Sequence, residues 1–303
     1  MADILVTGAG GFIGAHLVPW LAQHTPPHRV YAVVRPGGRR PPAGPGVVVV
    51  PWDVTQPCSH LPNHVDAIIH LAQGHAPFPE RAADLFAVNV GSTQRLLDYA
   101  RAADARTFLL ASTGSVYGAG PKPWTEADHA QPDSYYGATK LAAEWLVRAY
   151  AFCLSPIIYR LFVPYGPGQT NRLVPGLIER VRTGRPVTLR GGGRPAFNPI
   201  YVADVLPLIE RALALEGSHV VNIGGDEALS IRDMADQIGH ALGRRPVYEQ
   251  AEGAPPGDTV GDGRLMHALL RPSPLTSFAD GVAAMIGSAS PRHPQVPSGG
   301  RIP

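Results

Sequence analysis

Ile4-Leu5-Val6-Thr7-Gly8-Ala9-Gly10-Gly11-Phe12-Ile13-Gly14-Ala15-His16-Leu17 is the stretch around which the rest of the chain is organised. Ile4, Leu5 and Val6 form a short apolar run, as a parallel strand buried on both faces does. Gly8, Gly11 and Gly14 then recur at every third position, and Phe12, Ile13, Leu17 and Val18 continue at helical spacing. A strand feeding a glycine turn feeding a helix aims several backbone N–H groups, and the positive end of the helix dipole, at one spot. A dinucleotide pyrophosphate fits that spot. Glycine is required because a Cβ would block either the turn or the close approach of phosphate oxygens. The spacing differs from the Rossmann Gly-x-Gly-x-x-Gly, and alone it would also suit an ordinary glycine-rich turn. Its place between strand and helix favours cofactor binding.

The 303 residues are 45% apolar and 17% charged, which predicts a folded globular protein of one large or two modest domains. Net charge is +2, and no basic run is long enough to make nucleic acid the main partner. Cys58 and Cys153 stand far apart in no metal-ligand spacing, so neither a disulfide framework nor a metal site is expected. Strand-like residues from Ile4 leave no room for a secretory leader, and no apolar stretch approaches a membrane span. The expectation is a cytoplasmic protein with no membrane partner.

Arg29–Val34 reads as a second strand. NAD-preferring sites usually place an Asp or Glu at its end, against the ribose hydroxyls. Here Arg35 follows, with Arg39 and Arg40 behind it. Guanidinium groups match a 2′-phosphate in geometry and charge, so the balance leans to NADP over NAD. The competing explanation is a solvated loop, given the prolines and glycines around them. Residues 47–50 form a third strand, and Asp53 just beyond could reach an adenine amino group or serve a turn. Residues 65–71 form a fourth, with Ala72, Gln73 and Gly74 where a cofactor would pass close to the backbone. His70 reads as a packed strand residue. Residues 89–103 are helical and 107–111 form a fifth strand. This alternation predicts an α/β protein with a Rossmann-type doubly wound parallel sheet. The dinucleotide-binding domain is expected over 1–162, with 198–215 packing back onto it. A second, smaller α/β substrate domain is expected over 163–287, including helices at 173–183 and 231–242 (capped by Ser230) and a strand at 220–223. The Pro, Gly and Ser rich residues 288–303 read as a disordered tail.

The fifth strand runs into Ala111-Ser112-Thr113-Gly114-Ser115-Val116-Tyr117-Gly118, placing hydroxyls at the carboxyl edge where such folds bind ligands. Ser134-Tyr135-Tyr136-Gly137-Ala138-Thr139-Lys140 then opens a helix, and Tyr136 and Lys140, four apart, share one face. A free phenol has a pKa near ~10, and bringing it to ~7 takes about 4 kcal/mol. One neighbouring cation shifts a pKa by ~1–3 units. Lys140 alone therefore falls short, and a positively charged nicotinamide ring would supply the remainder. Tyr136 is then a better base with oxidised cofactor and a better acid with reduced cofactor.

Together, Thr7-Gly8-x-x-Gly11-x-x-Gly14, His70-Leu71-Ala72, Asn89-Val90-x-Ser-Thr, Ser112-Thr113 before Val116-Tyr117-Gly118, and Tyr136-x-x-x-Lys140 resemble the extended short-chain dehydrogenase/reductases. Within them the chain is similar to the NAD-dependent epimerase/dehydratase (sugar-nucleotide-modifying) group. The similarity continues through Tyr159-Arg160-Leu161-Phe162-Val163-Pro164-Tyr165-Gly166-Pro167 and Asn198-Pro199-Ile200-Tyr201-Val202-Ala203-Asp204-Val205, nearly the whole chain. The resemblance implies that Thr113 orients the substrate oxygen, Tyr136 moves the proton, and Lys140 holds the nicotinamide ribose and tunes Tyr136. It implies cofactor contacts at Gly8, Gly11, Phe12, Ile13, Gly14, Arg35, Asp53, Val54, Leu71, Ala72, Gln73, Asn89, Tyr136, Lys140 and Val163. Substrate contacts are implied at Gln73, Ser112, Thr113, Gly114, Ser115, Tyr136 and Arg172. It also implies a homodimer joined by the helices at 89–103 and 136–150.

The departures bear on the substrate. Dehydratases of the group carry Asp-Glu after the hydroxyl residue; Gly114-Ser115 stands here, so dehydration lacks its acid and base. Val163 replaces an Asn, Phe197 replaces a diphosphate-gripping Arg, and Pro255 replaces the Arg of Arg-Pro-Gly-Asp. Each lost guanidinium forgoes charge-assisted hydrogen bonds of ~1.5–3 kcal/mol. Arg172, Arg190 and Arg194 are the candidates to replace them. The expected function is hydride transfer at a secondary alcohol or ketone carbon, foremost as a sugar-nucleotide 4-epimerase. The alternatives are an NADPH-dependent ketoreductase of a nucleotide sugar or small ketone, and a cofactor-binding protein without catalysis.

Overall fold

The computed structural model describes residues 1–23, 26–57, 60–253 and 257–289; Cys58, Pro255 and 290–303 lie outside them. Its first half alternates as the apolar runs predict: β1 (Asp3–Thr7), α1 (Phe12–Gln23), β2 (Arg29–Val34), β3 (Val47–Pro51), β4 (Ala67–His70), α2 (Ala82–Phe86), α3 (Ser92–Ala102), β5 (Thr107–Thr113), α4 (Tyr135–Ala149) and β6 (Ser155–Leu161). The second half is broken into shorter pieces: β7 (Pro164–Tyr165), α5 (Leu173–Thr183), β8 (Val187–Leu189), β9 (Ala196–Phe197), β10 (Ile200–Tyr201), α6 (Val202–Ala212), β11 (His219–Ile223), β12 (Leu229–Ser230), α7 (Ile231–Leu242), β13 (Tyr248–Gln250), α8 (Arg264–Leu270) and α9 (Phe278–Ala289).

Seven parallel strands form one sheet in the order β11-β6-β5-β4-β1-β2-β3. The central strands are covered on both faces, which is why Ile4–Val6, Ile68, Ile69 and Phe108–Leu110 are fully buried. The order reverses between β1 and β4. At such a reversal the loops leaving the two carboxyl ends diverge, and a ligand crevice opens between them.

Two features depart from the sequence expectation. β6 is a full sheet strand, its apolar Ile157 and Ile158 hidden in the sequence by Ser155, Pro156 and Arg160. β11 joins the same sheet beyond β6, with α6 as the crossover that a parallel pairing requires. The core around α1 therefore recruits Ile200, Val205, Leu208, Ile209, Val221 and Met266 from the second half. A second lobe draws on separate stretches of the second half of the chain. Its own core holds Val174, Leu177, Val181, Val187, Leu229, Met234, Ile238, Phe278 and Val282. Ser230 caps α7 through a reciprocal pair with Asp233. Ser288 and Ala289, expected in the tail, finish α9.

His70 is fully buried at the end of β4, its Nδ1 2.7 Å from Thr7 Oγ1 and its Nε2 3.2 Å from both Ser92 Oγ and Thr93 Oγ1. Burial, helped by the Lys140 charge, pushes its pKa down to about 3. An unfolded chain takes up this proton near ~6.5, so the unfolded state binds more protons through the interval between the two values. Stability contributed by the neutral ring is thus present near neutral pH and lost on acidification. In urea unfolding, His70→Gln is expected to lose about 1.4 kcal/mol less per pH unit than the parent between about pH 6 and pH 4. Equal slopes would show that His70 titrates freely in the folded protein.

Candidate active site

The glycine turn after β1 is held against its neighbours more tightly than any side chain would allow. Gly8 has φ +68°, and a Cβ there would lie 2.7 Å from Ala72 N. A Cβ on Gly14 would lie 2.4 Å from Gly8 O, so the second glycine lets α1 close onto the turn. A Cβ on Gly10 would lie 1.9 Å from Arg39 O, where the loop after β2 passes over it. Gly10 escaped the sequence argument because it falls outside the three-residue spacing. The result is exposed backbone and a helix N-terminus facing the crevice, the arrangement that binds a pyrophosphate.

A cleft of about 1220 Å³ runs from this turn across the carboxyl edge of the sheet. Gly8, Gly11, Phe12, Ile13, Gly14, Arg35, Asp53, Val54, Leu71, Ala72, Gln73, Ser112, Thr113, Tyr136, Val163 and Arg172 line it, as do Arg39, His75 and Phe197. Asn89, Gly114, Ser115 and Lys140 stand behind its wall. Asn89 is fully buried: its Oδ1 accepts from Gly74 N at 2.8 Å and its Nδ2 donates to Thr139 Oγ1 at 2.9 Å. It fastens the loop after β4 to α4. A widened helical turn over Ala87–Gly91 carries Asn89 inward. Asp53 serves a turn as well as the cleft: it accepts from Thr55 N and Oγ1 at 2.9 and 2.8 Å, which hold its carboxyl below the usual range.

At the far end of the cleft Thr113 ends β5 and caps the short turn that follows, accepting from Ser115 N at 3.2 Å. Gly114 lacks a side chain for a packing reason. A Cβ there would lie 2.5 Å from Phe162 Cε1, and one on Gly261 would meet the other side of the same ring at 2.4 Å. Val163 adopts φ +45°, a left-handed conformation that Asn tolerates and a β-branched residue resists, so the replaced Asn leaves strain on the cleft wall.

Ser134 caps α4, which presents Tyr136 to the cleft. The Tyr136 hydroxyl donates to Gln73 Oε1 at 2.8 Å, and the His75 ring stacks on the phenol at 5.1 Å. Burial pushes the phenol up to about 12, against the opposing pull of Arg172 and of a hydrogen bond with Thr113. Arg172, on the cleft wall, is thus a cation whose charge opposes that rise. Lys140, one turn on, is only 1% exposed, and burial lowers its pKa to about 8 while Glu144 opposes that fall. Burial, with Arg172 and Lys140, lowers His75 to about 4, so its ring is neutral near neutral pH.

Of the three candidate arginines, Arg172 reaches the cleft, at the N-terminus of α5. Arg194 is paired with Asp258, whose carboxylate also accepts from Ala196 N at 2.8 Å. Arg190 lies on the bridge opposite Arg194 and off the cleft wall. Glu144 and Arg160, both buried beneath this site, were missed because a charge inside an amphipathic helix or a strand reads as solvated surface. Among the described residues no cluster of metal-ligating side chains occurs, and no helix is long and apolar enough to cross a membrane.

The sequence profile of the NAD dependent epimerase/dehydratase family matches residues 4–224. An uncharacterized UDP-glucose epimerase of Bacillus subtilis is 30% identical, over 95% of this chain and 98% of its own. The structure of MoeE5 in complex with UDP-glucuronic acid and NAD superposes with a TM-score of 0.82 at 31% identity, over 94% of this chain and 98% of that one. UDP-glucuronic acid 4-epimerase from Bacillus cereus in complex with NAD superposes at 0.83 with 28% identity, over 94% and 97%.

Proposed function

The chain belongs to the NAD dependent epimerase/dehydratase family, with the fold of the extended short-chain dehydrogenase/reductases, and from that premise we propose a sugar-nucleotide 4-epimerase. The observation that carries this is the meeting of Thr113 and Tyr136 at the end of a cleft that begins at the glycine turn, with Lys140 buried one helical turn behind. The three relatives named above are epimerases of UDP-sugars or hold a UDP-sugar together with NAD.

The residues present fit a nicotinamide dinucleotide. Gly8, Gly11 and Gly14 clear the backbone for its pyrophosphate, and the buried Lys140 ammonium lies behind the wall where a ribose would rest. When bound in oxidised form, the cofactor supplies a hydride acceptor for the sugar C4 and a positive ring charge beside the phenol. Tyr136 takes the proton of the C4 hydroxyl and returns it from the same oxygen; Thr113 orients that oxygen. Moving a phenol from about 12 to neutral pH takes about 7 kcal/mol, and the pull of Arg172 is already spent in holding it that low. The resting protein therefore keeps the phenol protonated against Gln73. Gly114, crowded by Phe162, leaves no carboxylate to eliminate water, which disfavours dehydration. With UDP-glucuronate or UDP-glucose the expected product is the C4 epimer with no net gain or loss of reduced nicotinamide. Tyr136→Phe is expected to lower kcat about 10²–10⁴-fold. Stoichiometric consumption of NADPH would replace this proposal with a ketoreductase, and unchanged turnover in Tyr136→Phe would remove the phenol from the chemistry.

Arg172 is the guanidinium left to grip the substrate diphosphate in place of Phe197 and Pro255. Arg172→Ala is expected to raise KM about tenfold or more, the loss of one charge-assisted bond of ~1.5–3 kcal/mol. An unchanged KM would move the diphosphate elsewhere. Arg35 and Arg39 both reach the cleft beside the end of β2, where the expected acidic residue is missing. This supports NADP as the physiological cofactor, although the solved neighbours hold NAD. In calorimetric titrations Arg35→Ala then weakens NADP about tenfold more than NAD; equal weakening would overturn the preference. The exposed Trp145, 62% accessible on α4, supports the homodimer through the helices at 89–103 and 136–150 that sedimentation would test.

A further inference from the structure

Tyr136, Lys140, Glu144 and Arg148 follow one another at four-residue steps along α4, one above the next. The third is a carboxylate 1% exposed, beneath a site whose chemistry is usually credited to the first two. Such a group is costly to bury and persists only when fully partnered. Arg160, also buried, approaches it from β6: Nε donates to Oε1 at 3.1 Å and to Oε2 at 3.2 Å, and Nη2 donates to Oε2 at 2.6 Å. The guanidinium lies over the Tyr117 ring at 4.6 Å. From β5, Ser112 Oγ donates to Oε1 at 2.5 Å. Arg148 Nη2 stands 4.0 Å from Oε2 on the outer side.

We propose that Glu144 is a positioning residue of the proton-transfer site, pinning the end of β5 to α4 and keeping an anion one helical turn behind Lys140. The proposal rests on the assignment of Thr113, Tyr136 and Lys140 to that site. Those three groups come from two elements, β5 and α4, and their mutual placement depends on how the two are registered. Ser112 is the neighbour of Thr113, and its hydroxyl reaches the helix at Glu144. The carboxylate has a second effect through charge. Lys140 is faced by His70 from β4, by His75 from the loop after β4, by Tyr136 and Glu144 from its own helix, and by Arg160 behind Glu144. Arg172 and Arg148 lie further out, beyond the phenol and beyond Glu144. Both histidines are neutral near neutral pH, so Glu144 is the anion that offsets the desolvation of the Lys140 ammonium.

The two effects separate by mutation in the full-length enzyme loaded with dinucleotide. Glu144→Gln keeps an acceptor for Ser112 and removes the charge. Its kcat/KM against pH is expected to lose activity on the alkaline side about 1–3 units lower than the parent. The dinucleotide Kd, measured by calorimetry against pH, is expected to weaken over the same shifted range, and Glu144→Asp to restore both. A folded Glu144→Gln with the parental profile overturns the charge role. Ser112→Ala keeps every charge and removes the pin; kcat is expected to fall at least tenfold with the pH profile and the dinucleotide Kd unchanged. Should Glu144→Gln fail to fold, an unaltered kcat in Ser112→Ala overturns the positioning role by itself. Tyr136→Phe run alongside tells the failures apart: retained turnover there strikes the assignment of the site, whereas its loss with parental Glu144→Gln and Ser112→Ala strikes Glu144 alone.

Discussion

Three backbone segments meet at the turn after β1 at distances that exclude a Cβ. Gly8 presses on Ala72 from the loop after β4, Gly10 on Arg39 from the loop after β2, and Gly14 on Gly8 from α1. The sheet reverses its order at this place, so the loops that diverge there must also pack against the turn. Everything the site needs follows from that contact. It exposes backbone N–H groups, brings Gln73 and His75 to the cleft, and brings Arg35 and Arg39 over its edge. Any larger residue would force the three segments apart together.

The chemistry lies on a second constraint, the burial of charge along α4. Lys140 and Glu144 are both sealed from water, and Arg160 joins them from the neighbouring strand β6. Two cations and one anion leave a net positive charge beneath the phenol. Continuum reasoning makes such a cluster a weak source of stability, because desolvation offsets the attraction. Its value lies in direction: an ammonium that is buried and held has few places to go. The resting phenol is nevertheless protonated, bonded to Gln73 and pushed up to about 12 by burial. A site of this kind is silent until a further positive charge arrives.

Packing, more than chemistry, explains the departures from the family pattern. The Phe162 ring is clasped between Gly114 and Gly261, so no carboxylate can follow Thr113. Val163 holds a left-handed backbone that its side chain disfavours and that an Asn would adopt with less strain. Asp258, which in the motif follows the missing guanidinium, is paired with Arg194 and accepts from Ala196 N. Arg172 lines the cleft at the N-terminus of α5, where the helix dipole adds to its charge.

Alternating apolar runs and the glycine turn sufficed to set out the parallel sheet, the pyrophosphate spot after its first strand and the Tyr136–Lys140 helix, because strand burial and helical spacing are local properties of the chain. Many of the residues that the family resemblance singled out line the cleft, which lies at the carboxyl ends of the parallel strands. What it did not determine depends on contacts between distant residues. Whether β11 joins the main sheet, and which groups the buried Asn89 amide ties together, are settled by which partner is nearer in space. The same holds for Glu144, which is indistinguishable from a solvated helix residue until Arg160 and Ser112 close over it. Local pattern dictates the elements; the pairing of charges and hydrogen bonds across them is decided only when the layers pack, because the cost of burying a polar group is set by its partners and not by its neighbours in the chain.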